Sequence, residues 1–261
     1  MEAHHEKGIE EFLARYAKDQ KIKGILLTGS LVHGFAKTDS DIDIFLIVAK
    51  DEYLKRKAAN TLAFSLWDIC TYENGYIDCK VIDLDFLKSV AQSGSDPARY
   101  AFKDSKILYS KLDGLQELLD KIASYPSHQK DERNRRFAAQ ILAWKWYYSE
   151  GVKKENKYLV YLAIQKLILF ASRIVLNENQ QLYPFHKWML REVESAKNKP
   201  ADIMQKIDNL LNNHSLESIN VFCDYILNFI GFTEKTVDWP NYFLKDSEQN
   251  WLFHEPPIDD I

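Results

Sequence analysis

The chain has 261 residues, of which 46% are hydrophobic and 28% charged, and a formal net charge of −4. This length accommodates two cores of ordinary domain size, and the slight negative charge argues against a protein that grips long RNA or DNA through its phosphates. Three cysteines without Cys-x-x-Cys spacing, Cys70, Cys79 and Cys223, suggest neither a disulfide framework nor a zinc site; with no basic stretch ahead of an apolar one at the N-terminus, a cytoplasmic protein is expected.

Apolar side chains at Ile9, Phe12, Leu13 and Tyr16 predict an opening helix. Residues 23–28 form a short apolar run that stops at Gly29-Ser30, as a buried strand ending in a turn does, and residues 42–48 repeat the pattern. Residues 51–60 are charged and helix-favouring, whereas 62–72 mix aromatic and polar side chains and fit helix or strand. Glu73-Asn74-Gly75 marks a turn, and 76–82 behind it alternates as a half-buried strand does, with Asp78 on the polar side.

From about Leu112 the texture changes to amphipathic helices. Residues 135–148 and 157–176, separated at Gly151, are the two longest, and 203–211 and 216–230 complete a bundle. The apolar interval 158–176 is broken by Gln165, Lys166, Ser172 and Arg173, so a buried helix is expected rather than a membrane span, which needs about 20 mostly apolar residues. A polar stretch at 124–131 supplies the linker, and 255–261 reads as a loose tail.

Residues 27–44 carry the chemistry. After the first strand, Gly29 has no side chain to keep phosphate oxygens from the backbone N–H groups, and the start of a helical turn adds a dipole that favours anions. Ser30 adds a hydroxyl donor, Gly34 is expected to let the short helix sit close to the strand, and Ser40 joins them in the set assigned to nucleotide binding. Asp41 and Asp43 open the next strand at i and i+2, so both carboxylates leave the same face about 6.5–7 Å apart. Such a pair suits magnesium, which takes oxygen ligands and is commonly bound by one or two carboxylates plus substrate phosphates. In two-metal catalysis one ion activates the attacking hydroxyl and the other steadies the phosphates and the leaving oxygen. Asp78 is the candidate third carboxylate, as metal ligand or general base, with Asp83 and Asp85 near enough in sequence to be confused with it. Asp-x-Asp alone is often only a turn. Its conjunction with a Gly-Ser turn and a polar-face Asp is what points to a site.

Gly29-Ser30, Gly34, Asp41-Ile42-Asp43 and Asp78 together resemble the signature of the polymerase-beta-like nucleotidyltransferase superfamily, over about the first 110 residues. The resemblance implies an α/β (α+β) fold: a small mixed sheet flanked by helices in a catalytic domain of residues 1–125. It also implies a nucleoside triphosphate donor and transfer of a nucleoside monophosphate with release of pyrophosphate. A core followed directly by a helical bundle, residues 126–261, is similar to the antibiotic nucleotidyltransferases such as the aminoglycoside adenylyltransferases. On that likeness the bundle closes over the nucleotide and shapes the acceptor pocket. Asp41, Asp43 and Asp78 then carry catalysis and hold two magnesium ions, ATP is the expected donor, and the expected acceptor is a hydroxyl of a small, aminoglycoside-like molecule.

Other positions carry weaker signals. Lys187, in the aromatic segment 182–189 with a helix start marked by Pro184, is a candidate for neutralising the triphosphate, or a solvated charge. Arg99 is weighed in the same way. The aromatic cluster 144–148 is expected in a core rather than as a base-stacking platform. His33 is expected to be structural or exposed, and the remaining histidines have no ligand spacing. Neither an ATPase phosphate loop nor a Gly-x-Ser-x-Gly elbow is present. Competing readings keep the chemistry but move the acceptor to an RNA end or a protein side chain, or make the chain an inactive nucleotide-binding module, or a sugar transferase. The last does not explain Gly29-Ser30, and all three acidic positions count against the inactive module.

Overall fold

Glu2 starts the first helix, α1 (Ala3–Tyr16), a turn and a half ahead of the apolar spacing, with its backbone N–H donating to His5 Nδ1 at 3.1 Å. The computed structural model describes residues 1–253, 255–256 and 258–260, so His254 and part of the tail read at 255–261 lie outside the described residues. The chain divides into two compact units, Met1–Ser124 and Tyr125–Ile261.

In the first unit α1 is followed by β1 (Ile22–Thr28), α2 (Ser30–His33), β2 (Ile42–Val48) and α3 (Lys50–Ala58). Then come β3 (Ala63–Leu66), β4 (Ile77–Ile82), α4 (Leu84–Ser93), α5 (Asp96–Tyr100), β5 (Lys106–Ser110) and α6 (Leu115–Ala123). The strands form one mixed sheet in the order β3-β4-β2-β1-β5, in which β2 and β4 run parallel and the other neighbours antiparallel. The ambiguous interval 62–72 resolves into β3 and the start of a loop that reaches Tyr76; the turn signal is borne out by Asn74 at φ 59°. Strand β5 gives no sequence signal because it is a short edge strand, half-buried and polar at both ends.

Alternation along the strands separates two cores. On one face Ile25, Leu27, Ile44, Leu46, Cys79 and Val81 pack with Ile9 and Phe12 of α1. On the other, Leu26, Phe45, Ile47 and Ile82 pack with Leu87 and Val90 of α4 and Leu115, Leu119 and Ile122 of α6. Each such fully buried side chain contributes about 1.5–3 kcal/mol. This second face is apolar where α4 and α6 cover it, and polar and half-buried where β2 and β4 begin, at Asp43 and Asp78.

The second unit contains α7 (Lys130–Lys153), α8 (Lys157–Glu178), α9 (Met189–Ser195), α10 (Ile203–Asn212), α11 (Leu216–Phe229) and α12 (Trp239–Phe243). Gly151 does not end α7, as the sequence suggests. It lies inside the helix, buried, where a Cβ would meet Val160 Cγ2 at 3.0 Å and Val160 N at 3.1 Å, so the glycine lets the first turn of α8 approach. By length and composition α8 is apolar enough to cross a membrane, but Ala163, Ile164, Leu167, Ala171, Ile174 and Val175 are buried in this unit's core.

Candidate active site

The site begins where β1 ends. Gly29 adopts φ 71°, ψ −152°, a combination open essentially to glycine alone. A Cβ built on it would lie 2.5 Å from Asp43 Cγ and 2.8 Å from Asp43 Cβ. The glycine is therefore required twice, by its backbone conformation and by the carboxylate that rests against it. Antiparallel pairing explains the approach, because Thr28 and Asp43 are register partners. Ser30 opens α2 buried, and its hydroxyl has no hydrogen-bond partner among the described residues. A buried polar group left unmatched costs about 1–3 kcal/mol, so a ligand oxygen there would be stabilising.

Gly34 differs from its expected role. It caps the C-terminus of α2 at φ 73° with its N–H donating to the Ser30 carbonyl, and a Cβ there would touch nothing within 4 Å. It serves a left-handed turn and not close packing.

The carboxylates are gathered by the parallel ladder. Asp43 and Asp78 are direct register partners across β2 and β4, strands about 4.8 Å apart, and Asp41 stands two residues ahead of Asp43 on the same side. Asp83 and Asp85 are engaged elsewhere: Asp83 caps α4 by accepting the Phe86 N–H at 2.8 Å, and Asp85 pairs with Lys50. Lys80 of β4 and Tyr76 just ahead of it, to which the sequence assigned no site role, complete the cluster. Tyr76 donates its hydroxyl to Asp41 Oδ2 at 3.0 Å, and Lys80 Nζ donates to Asp78 Oδ2 at 2.9 Å. A period of two along the strand places 76, 78 and 80 on one face, which was the available signal. Burial works against the charge on Lys80, but the Asp78 hydrogen bond and the charges of Asp78, Asp43 and Asp41 outweigh it and raise its pKa. The hydrogen bond to Asp41, and that carboxylate's charge, likewise raise the pKa of Tyr76 and keep it a donor.

The loop into Asp41 is pinned from α1. His4 Nε2 contacts the Thr38 carbonyl at 2.8 Å and His5 Nε2 the Ser40 carbonyl at 3.1 Å, while Tyr72 donates its hydroxyl to the same Ser40 oxygen at 2.8 Å. Ser40, assigned from sequence to the nucleotide, uses its Oγ to accept the Lys37 N–H at 2.8 Å and so shapes this loop. His5 is fully buried; that burial, with the charge of His4, lowers its pKa against the Ser40 hydrogen bond. No ligand spacing marked these histidines, because their task is to hold a turn.

Arg99 is buried and donates to the carbonyls of Gly94, Ala91 and Ile122, a clamp on helix ends and not a substrate contact. His33 has a buried side chain against Tyr100, with Asp104 Oδ2 3.4 Å from Nδ1. Lys187 belongs to the second unit, exposed, with Nζ 5.3 Å from the centre of the Trp188 ring. Of the 144–148 cluster, Tyr148 is buried and Trp146 exposed. Burial pushes the Cys79 and Cys223 thiols up to about 12, which removes them as nucleophiles.

Among the described residues no three His, Cys, Asp or Glu side chains converge as a ready-made metal cluster. The donors present still fit magnesium: they are carboxylate oxygens on one half-buried face, and that ion needs only one or two from the protein when phosphates supply others.

Residues 9–112 match the family described as Polymerase beta, Nucleotidyltransferase. No curated protein matches the sequence. Among solved structures, the nucleotidyltransferase-like protein of Exiguobacterium sibiricum 255-15 is 12% identical, with a TM-score of 0.50 over 97% of this chain and 81% of that one. The spectinomycin adenyltransferase AAD(9) of Enterococcus faecialis, solved with ATP and spectinomycin, is 16% identical, with a TM-score of 0.35 over 85% of this chain and 98% of that one. The first likeness shows the fold, and the second is too distant to add to it. The carboxylate register and the Gly29 turn lie inside the matched segment: residues 9–112 form a nucleotidyltransferase domain of the polymerase beta family.

Proposed function

We propose that this nucleotidyltransferase moves AMP from ATP to a hydroxyl of a small molecule and releases pyrophosphate. The observation that carries this reading is the order of groups across one sheet face. The Gly29-Ser30 turn follows β1, Asp41 immediately precedes β2, Asp43 lies in its first pleat, and Asp78 lies beside it near the start of β4. In the proposed cycle the backbone at Gly29 and the unmatched Ser30 hydroxyl take the leaving phosphates. Asp41 and Asp43 would hold magnesium, which when bound neutralises charge developing on the phosphates. Asp78 accepts the proton of the attacking hydroxyl. A small acceptor is favoured over a nucleic-acid end because the face is carboxylate-rich and the chain carries a net charge of −4, both unfavourable to a polyanion.

Calorimetric titration of ATP, with and without magnesium, on wild type and Asp41→Asn/Asp43→Asn tests the donor side. Magnesium-dependent binding is expected in wild type and its loss in the double variant, with thermal unfolding unchanged. Wild type that binds no triphosphate would overturn the proposal. Pyrophosphate release in an acceptor screen then tests transfer, where Asp78→Asn is expected to retain ATP binding and lose turnover by about 10²–10⁴-fold.

A further inference from the structure

Trp67 is a large apolar side chain left 63% exposed, and it is not stray. The β3–β4 register, Ser65 opposite Asp78 and Leu66 opposite Ile77, carried one step further sets Trp67 opposite Tyr76. The two rings stack with centroids 4.4 Å apart and planes 24° from parallel. By the period of two, both side chains stand on the face of Asp78 and Lys80, one pleat from Asp78, about 6.6 Å along the strand. Tyr76 ties the stack to the chemistry through its 3.0 Å hydrogen bond to Asp41.

Resting on the proposed function, we infer that the Trp67–Tyr76 stack is the acceptor platform, and that the acceptor is a small hydroxylated ring, neutral or cationic, of the saccharide or cyclitol class. In-line displacement places the attacking oxygen and the leaving pyrophosphate on opposite sides of the transferred phosphorus. With the phosphate turn at the β1 side of Asp43, the attacking oxygen comes from the β4–β3 side, where the stack stands. The outer face of the indole is the negative face of a π-system, which attracts the partly positive C–H face of a saturated ring and leaves that ring's hydroxyls free to point at Asp78. A protonated amine on the ring is favoured further by cation–π attraction and the neighbouring carboxylates, whereas a phosphodiester chain is repelled.

The test uses the full chain and two variants. Wild type and Trp67→Phe are titrated with methyl glucoside, glucosamine and spectinomycin, with short RNA and ATP–magnesium as controls, and intrinsic tryptophan fluorescence is followed. A saturable change with a ring probe that is missing in Trp67→Phe is expected. In steady-state assays with the probe that turns over, Trp67→Ala should raise the acceptor KM about tenfold and leave the ATP KM unchanged. A ring-probe response independent of Trp67, no ring-probe response, a Trp67-dependent response to RNA instead, or a rise in the ATP KM would each overturn the inference. ATP–magnesium binding, measured by calorimetry on the same samples, separates these outcomes from failure of the nucleotidyl-transfer reading.

Discussion

Replacing Gly29 by alanine tests the core of the site, because the structure opposes a side chain there for two separable reasons. The backbone conformation, φ 71° and ψ −152°, costs a non-glycine residue about 1–3 kcal/mol. The new methyl would also lie 2.5 Å from Asp43 Cγ, and overpacking of this kind adds typically about 1–3 kcal/mol unless the neighbour moves. Asp43 is only half-buried, so the carboxylate is expected to yield to the methyl. Displacement of a reacting group by about 1 Å costs on the order of 10²-fold in rate. Gly29→Ala is therefore predicted to lose about 1–3 kcal/mol in urea unfolding, the backbone share, and at least about 100-fold in pyrophosphate release. Wild-type turnover together with a stability change under about 0.5 kcal/mol would refute both the contact and the role of Asp43.

Gly34→Ala carries the backbone strain alone, since nothing lies within 4 Å: a stability loss of about 1–2 kcal/mol with unchanged kcat is expected, and a drop in kcat would show that the residue touches substrate. Lys80→Met removes the cation beside Asp78 from a pair half exposed to solvent, so the metal-free protein should lose no more than about 1 kcal/mol, while magnesium should raise the melting temperature by more than it does in wild type; equal shifts would count against Lys80 as the counter-ion of the cluster. The lowered pKa of His5 means that the folded state binds its proton less readily than the unfolded chain, whose value is near 6.5. Its contribution to stability is present above that pH and lost as pH falls toward the folded pKa, so a urea midpoint that declines below about pH 6.5 in wild type should decline less in His5→Asn; identical profiles would dismiss the residue.

The part of this site that lies in one short segment was legible in the sequence. Gly29, Ser30, Asp41 and Asp43 fall within 15 residues, and the antiparallel pairing of Thr28 with Asp43 needs only the turn between two recognisable strands. Asp78 was legible by type but not by place, because its partnership with Asp43 depends on a parallel pairing that no local pattern encodes; only the structure separates it from Asp83, a helix cap, and Asp85, a surface ion pair. Gly34 and Gly151 were misread for a common reason. A glycine in sequence announces a special requirement without saying whether it is a dihedral angle, as at Gly34, or a neighbouring backbone, as at Gly151. Tyr76 and Lys80 were within reach of the strand's own period, two residues to either side of Asp78, whereas Trp67 lies in the ambiguous interval 62–72 and its place depends on the β3–β4 pairing.

The cluster also poses an electrostatic problem that its neighbours address. Two carboxylates one strand spacing apart, about 5 Å, would repel by on the order of 3 kcal/mol at an effective dielectric constant of about 20, and Asp43 and Asp78 stand in that register. A domain whose whole stability is about 5–15 kcal/mol would be strained by leaving that repulsion unanswered whenever no cation is bound. Lys80 answers it with a charge that burial alone would weaken and the three carboxylates restore, and Tyr76 with a hydrogen bond to Asp41. Lys80 lies in β4 and Tyr76 immediately precedes it, so the stretch of chain that brings Asp78 to Asp43 also supplies the compensation. Because Lys80 is half exposed and sits at the end of a flexible stem, on the proposed reading it would give way to a divalent ion and phosphates, which a buried arginine clamp such as Arg99 could not do. The same stretch thus moderates the carboxylate repulsion and leaves that face accessible from solvent.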